Sequence, residues 1–405
     1  MPPPDDRFRW HPAARIANAP DLRPAKASSG NGAIFENDAP SAVVAAFAIA
    51  AQGLPFRIGG GSEPPKPAPL PMFETLTSGT SGTPRRIWRS QASWTASFAV
   101  NAGLFGIGPG VSVAVPGRLV HSLALYGAVE ALHLGATLHL LADLRPDRQR
   151  AAIAQAAVAV LYATPAQIHL LVQGHGPLLP ALRVILIGGS KLEPTLRQQL
   201  ATLAPNAALH EFYGAAETSF LTMTAPDDPP ASVGRPDPGV RIDMRGPQGE
   251  TVAPGKVGEV WAQSPYLFSG YGGDPGSADW RGGWLSVGEM GRITDGALYL
   301  SGRKSRVVQI ADQSVYPEQI EAFMATLPGI GRIAVVPEPD AKRGAILLAI
   351  AQGDPAQETA ILAATRHQFG ALKCPRRILW RSDWPLLQSG KTDLAALQSP
   401  PCSGR

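Results

Sequence analysis

Between residues 111 and 211, short apolar runs rich in β-branched residues alternate with segments of helical periodicity. VSVAVP, ATLHLL, VAVLYA, LRVILIGG and ALHEFYG read as strands; HSLALYGAVEALHLG, PDRQRAAIAQAA, PAQIHLLVQ and EPTLRQQLATLA read as the helices between them. Continuous apolar strands such as RVILIG predict a parallel sheet covered on both faces, with ligand loops at its strand ends. From 231 to 300 the pattern changes to short strands and turns, including VRIDMRG, GKVGEVWAQSP and DGALYLSG, which predicts an antiparallel subregion. Beyond 302 the chain restarts with RVVQIA, a helix PEQIEAFMATL, strands GRIAVVPEP and AILLAIAQG, a helix around AQETAILAATRHQF, and RRILWRSD. The fold class is therefore α/β, with a large domain over 1–302 and a small α+β domain over 303–405. The Gly/Pro-rich GGGSEPPKPAPLP (59–71) reads as a surface connection.

Composition narrows the class. With 44% hydrophobic residues in 405, the chain has ample core. Its two cysteines, Cys374 and Cys402, make neither a disulfide framework nor a metal site, which fits a reducing cytoplasm. The opening MPPPDDRFRWHPAARI has no apolar h-region, so export is not expected. The apolar run 119–141 is interrupted by His121, Glu130, His133, Gly135 and His139, and reads as helix then strand rather than a membrane span. The net charge of +4 comes from scattered Arg without a basic block, so nucleic acid is not implied. Such a mild positive field suits anionic small molecules.

The chemistry begins at LTSGTSGTPRR (76–86). The Lys-terminated P-loop does not fit, because Gly79 and Gly82 are spaced wrongly and no Gly-Lys-Ser/Thr follows. Hydroxyl side chains around two glycines instead supply a cluster of backbone and side-chain donors suited to phosphate oxygens, with Arg85 adding charge.

Seven further segments occur in a telling order: PGRLVHSLALYG (116–127), GGSKL (188–192), EFYGAAET (211–218), VGEVW (257–261), GWLSVGEMGR (283–292), GRKSRVVQIADQSVYPEQIE (302–321) and LLQSGKTDLAAL (386–397). With the phosphate loop, they make the chain resemble the adenylate-forming superfamily of acyl- and aryl-CoA synthetases, luciferases and peptide-synthetase adenylation domains. The resemblance runs from about residue 42 to 397, with a shortened N-terminal region, and implies a mobile C-terminal lid. It also implies a two-step reaction using ATP, Mg²⁺ and coenzyme A: a carboxylic acid becomes acyl-AMP, then a thiol takes the acyl group.

Residue by residue, the resemblance puts Thr77, Ser78, Gly79, Thr80, Ser81, Gly82, Thr83 and Arg85 at the triphosphate. Gly189, Ser190, Lys191, Glu211, Phe212, Tyr213 and Gly214 then line the nucleotide, Tyr213 stacking on adenine. Glu217, with Thr80, holds the magnesium, and Glu289 and Arg303 hold the ribose. Lys391 is the catalytic lysine, an ammonium that offsets repulsion between carboxylate and α-phosphate. His121 gates the acid, and Tyr126, Ala163, Gly188 and Ala215 wall its pocket. Ser305 is the hinge. The implied partners are a small carboxylic acid, ATP and CoA, with a carrier-protein phosphopantetheine as the alternative acceptor and a second subunit as a further expectation. A non-catalytic nucleotide-binding scaffold is the rival reading.

Several positions depart from the family pattern. Ala216 replaces a usual Thr, and Thr218 is the nearest substitute hydroxyl. Asp312 replaces a Gly that lets the thiol approach, and Gln309 and Gln319 replace charged residues, so adenylation is the better supported half-reaction.

Overall fold

Side-chain burial sorts the strands into separate sheets. In the computed structural model the described residues are 6–24, 33–35, 39–60, 63–77, 85–225, 227–272, 277–386 and 392–398. The βαβ rhythm becomes a sheet in which Arg15–Ile16, Thr137–Leu140, Ser112–Val115, Val160–Ala163, Val184–Ile187 and Ala208–Ala215 run parallel in that spatial order. Strands Ser219–Met223 and Arg235–Pro236 extend it antiparallel. Every residue of Val160–Ala163 and of Val184–Ile187 is buried, because helices cover both faces.

One face packs helix Ser122–Leu134 against a cluster rich in aromatic rings, including Phe8, Phe47, Phe56, Phe73, Trp94 and Phe98. The other is closed by Ile153, Ile168, Leu171, Leu196 and Leu200 from helices Pro146–Gln155, Pro165–Gln173 and Pro194–Leu203. The run 119–141 is helix then strand, as its pattern predicts.

A second sheet pairs Ala33–Phe35, Phe56–Ile58 and Met72–Leu76 in parallel, then Arg86–Ser90 and Gly270–Tyr271 antiparallel. The antiparallel subregion holds Arg241–Arg245, Gly258–Gln263 and the long pair Trp284–Thr294 and Ala297–Arg303. After it comes the restart: hairpin Val308–Ile310 with Gln313–Val315, then strands Ile330–Asp340, Gly344–Gly353 and Ile378–Trp380, backed by helices Pro317–Met324 and Glu358–Lys373. These pack their own core around Ile320, Met324, Val335, Leu347 and Ile361. Among the described residues no helix is long and apolar enough to cross a membrane.

Candidate active site

The phosphate-loop motif connects two antiparallel strands, Leu76 facing Arg86. At the stem, the Thr77 N–H donates to the Arg85 carbonyl at 3.0 Å, and the Arg85 N–H to Thr77 Oγ1 at 3.1 Å. Ser78, Gly79, Thr80, Ser81, Gly82 and Thr83 lie outside the described residues. The Arg85 guanidinium sits 3.9 Å from the centre of the Tyr271 ring and donates to Ser277 Oγ at 3.2 Å. Tyr271 in turn donates to Glu217 Oε1 at 3.0 Å. Burial, with Glu217 reinforcing it, pushes the Tyr271 phenol up to about 12, so at neutral pH the phenol keeps the proton it donates. A chain of contacts thus leads from the loop stem to the carboxylate expected to hold magnesium.

Beyond Tyr271 lies a cavity of about 680 Å³. Gly189, Ser190, Lys191, Glu211, Phe212, Tyr213 and Gly214 line it from the carboxyl ends of two parallel strands, as does Glu217 from the following turn. Glu289 and Arg303 close the far side. They are cross-strand partners, 3.9 Å apart, so the antiparallel register sets side by side two residues that the chain separates. Two of the ten have prior duties. Glu211 is buried and accepts from the Leu192 N–H at 2.8 Å and from Arg197, which spends its carboxylate on pinning the 189–192 loop. The Lys191 ammonium donates to the Ser232 carbonyl, and burial lowers its pKa. Thr218, beside Ala216, also lines this cavity; its Oγ1 accepts from the Ala215 N–H at 2.9 Å and donates to the Ser219 carbonyl at 3.3 Å.

A smaller cavity of about 160 Å³ adjoins the first, sharing Gly189, Phe212, Gly214 and Ala215 with it. Tyr126, Gly188 and Ala215 line it. Ala163 does not: it is fully buried beneath the sheet, among Ala114, Ile168 and Ile187. Nor does His121, which is exposed at the N-terminus of helix Ser122–Leu134; the next residue, Ser122, faces the cavity instead. Gly188 is obligatory here, since a Cβ would lie 2.1 Å from Phe212 Cζ. At Gly214 a Cβ would come 1.7 Å from the Ser219 carbonyl oxygen, so the turn closes only without a side chain.

The sequence profile described as "AMP-binding enzyme" matches residues 36–272, and that described as "AMP-binding enzyme C-terminal domain" matches 319–391. The chain belongs to the AMP-binding enzyme family. Among its relatives, the "Uncharacterized acyl--CoA ligase YhfT" of Bacillus subtilis (strain 168) is 33% identical over 328 residues, 79% of this chain and 67% of that one. The "Putative long chain fatty acid-CoA ligase VraA" of Staphylococcus haemolyticus is 30% identical over 329 residues, 80% and 69% of the two chains. The amide bond synthetase McbA from Marinactinospora thermotolerans shares the fold, with a TM-score of 0.76 over 91% of this chain and 90% of that one, at 24% identity.

In this AMP-binding enzyme the C-terminal residues 392–394 approach the larger cavity. Thr392, Asp393 and Leu394 line a cleft of about 910 Å³ whose other wall includes Lys191, Glu289 and Arg303. Lys391 lies outside the described residues. Ser305 is exposed within the short 3₁₀ turn Lys304–Arg306. Its neighbours are tied in opposite directions: Lys304 contacts both Glu259 oxygens at 2.9 Å, whereas Arg306 contacts Glu321 at 2.6 and 3.0 Å. Asp312 is exposed at the tip of the hairpin that follows.

Sequence reasoning missed Arg89. This fully buried guanidinium donates to the Ala216 carbonyl at 2.5 Å, to Ser219 Oγ at 2.9 Å and to the Tyr266 carbonyl, bracing the 215–219 turn from below. Burial lowers its pKa to about 9, with Glu217 opposing, so it stays cationic at neutral pH. The only signal was a charged residue inside an alternating strand, where RIWRS puts Arg89 on the buried face beside Ile87. Glu130 was also missed as a polar anchor. It is wholly buried and accepts from Asn101 at 2.9 Å, from Tyr126 at 3.2 Å and from Tyr162.

Proposed function

We propose that this protein is an ATP-dependent carboxylic acid:CoA ligase that works through a bound acyl-adenylate. The observation that carries the reading is the junction of the two cavities at Gly189, Phe212, Gly214 and Ala215. A carboxylate at that junction, with its tail in the smaller cavity, faces a nucleotide in the larger one. A carboxylate oxygen attacks the α-phosphorus and the bond to pyrophosphate breaks; a thiolate then attacks the acyl carbon and AMP leaves. Holding both reactants in adjoining cavities removes much of the entropic barrier.

Tyr213 and the Glu289–Arg303 pair serve the adenosine, and Lys391 the two anions that must approach each other. Glu217 suits magnesium, which prefers hard oxygen ligands and takes few from protein when phosphates supply the rest. When bound, the ion offsets charge on the phosphates. The same proposal divides the chain between 302 and 303, gives the lid a rotation about Ser305, and places the enzyme in the cytoplasm.

The test is acid-dependent ATP–pyrophosphate exchange with purified protein and magnesium across a panel of aromatic and aliphatic acids, followed by CoA. Exchange and a thioester product are expected. Failure of every acid to support exchange overturns the ligase reading in favour of a nucleotide-binding scaffold.

A further inference from the structure

From the smaller cavity we infer the acid itself: a single-ring aromatic carboxylic acid without a long substituent opposite its carboxylate, with Tyr126 closing the far end. This rests on the ligase reading above. Volume is the first argument. At about 160 Å³ the space matches the roughly 150 Å³ apolar cavity that takes up benzene. A sixteen-carbon tail carries well over twice the atoms of such a ring and does not fit.

The lining is the second. The rings of Trp94, Tyr126 and Phe220 line the cavity together with the small residues Gly188, Gly214, Ala215 and Ala216, and no charged side chain does. Such a wall suits an aromatic guest, because aromatic pairs favour offset or edge-to-face contact. The carboxylate must lie at the junction with the nucleotide cavity, so the opposite end of the acid points toward those rings.

The third argument is that the end of the cavity is braced. Tyr126 packs edge-on against Trp94, Phe98 and Phe220, with ring centres 5.1, 5.2 and 5.0 Å away. Its hydroxyl lies 2.6 Å from Ser97 Oγ, 3.1 Å from Asn101 Nδ2 and 3.2 Å from Glu130 Oε1. Behind this layer Phe8 packs on both Trp94 and Phe98, with centres 6.1 Å away. A longer chain would have to displace Tyr126 from three hydrogen-bonding partners. Glu130 is thereby a positioning residue for the far wall.

The test compares wild-type exchange for benzoate, 4-methylbenzoate, 4-butylbenzoate and palmitate at matched concentrations. Benzoate should lead, and kcat/KM should fall at least about tenfold by 4-butylbenzoate, with palmitate inactive. Palmitate or 4-butylbenzoate equal to benzoate overturns the size assignment while leaving the ligase reading intact. Exchange with none of these four overturns the size assignment, and failure across the wider acid panel overturns both. Tyr126→Ala should raise the 4-butylbenzoate to benzoate ratio of kcat/KM at least about tenfold. An unchanged ratio in folded Tyr126→Ala overturns its role as the closing residue, and if that variant does not fold, the wild-type series still decides the size assignment.

Discussion

The two cavities share four lining residues, yet charged side chains line only the larger. The larger, proposed for the nucleotide, sets Lys191, Glu217, Glu289 and Arg303 among apolar side chains such as Phe268, Leu285 and Leu300. The smaller, proposed for the acid, is walled by aromatic rings that also belong to the central core. Loss in the first removes a specific interaction with the reacting groups. In the second, it changes a shape and the packing behind it.

The largest expected effect belongs to the polar side. Lys391→Ala should lower exchange about 10²–10³-fold while ATP binding, measured separately by calorimetry, persists. Equal exchange would remove the lysine from its role.

The next prediction probes the packing behind the acid cavity. Burial raises the Glu130 carboxyl from 4.5 to about 7, with hydrogen bonds from Tyr162, Asn101 and Tyr126 opposing. The folded state therefore binds the proton more tightly than the unfolded one. That stabilisation is fully present below pH 4.5 and is lost as pH rises through about 7. Melting of wild type and Glu130→Gln at pH 5 and pH 8 should show the wild type losing up to about 3 kcal/mol relative to the variant. A constant difference between the two proteins would show that Glu130 does not titrate there.

A third variant tests whether the cavities are separable. Gly188→Ala forces Phe212 aside and should raise the KM for the acid about 10–100-fold, with a smaller change in the KM for ATP. Equal changes in both would mean the cavities respond as one. The smallest effect is expected at the ribose pair, where Glu289→Ala should raise the KM for ATP about tenfold and leave acid preference unchanged. A shifted acid preference would break the assignment.

Much of this was legible in advance, unevenly. The βαβ rhythm predicted the parallel sheet because strands covered on both faces must be continuously apolar, as Val184–Ile187 is. The motif residues from Gly189 to Glu217, with Glu289 and Arg303, meet in one cavity. His121 and Ala163 were misjudged for a common reason: motif position gives a place along the chain, whereas cavity lining depends on where the side chain ends up.

By itself the sequence determined the succession of strands and helices and the polar groups available to a nucleotide, because periodicity and residue chemistry are properties of short segments. The tertiary structure alone decided that Arg89 braces the 215–219 turn, that Phe212 fills the space over Gly188, and that Trp94 and Tyr126 line the smaller cavity with Phe8 packed on Trp94. Those outcomes depend on side-chain volumes arriving from distant parts of the chain. No local pattern records whether they leave room for one ring or for a long tail.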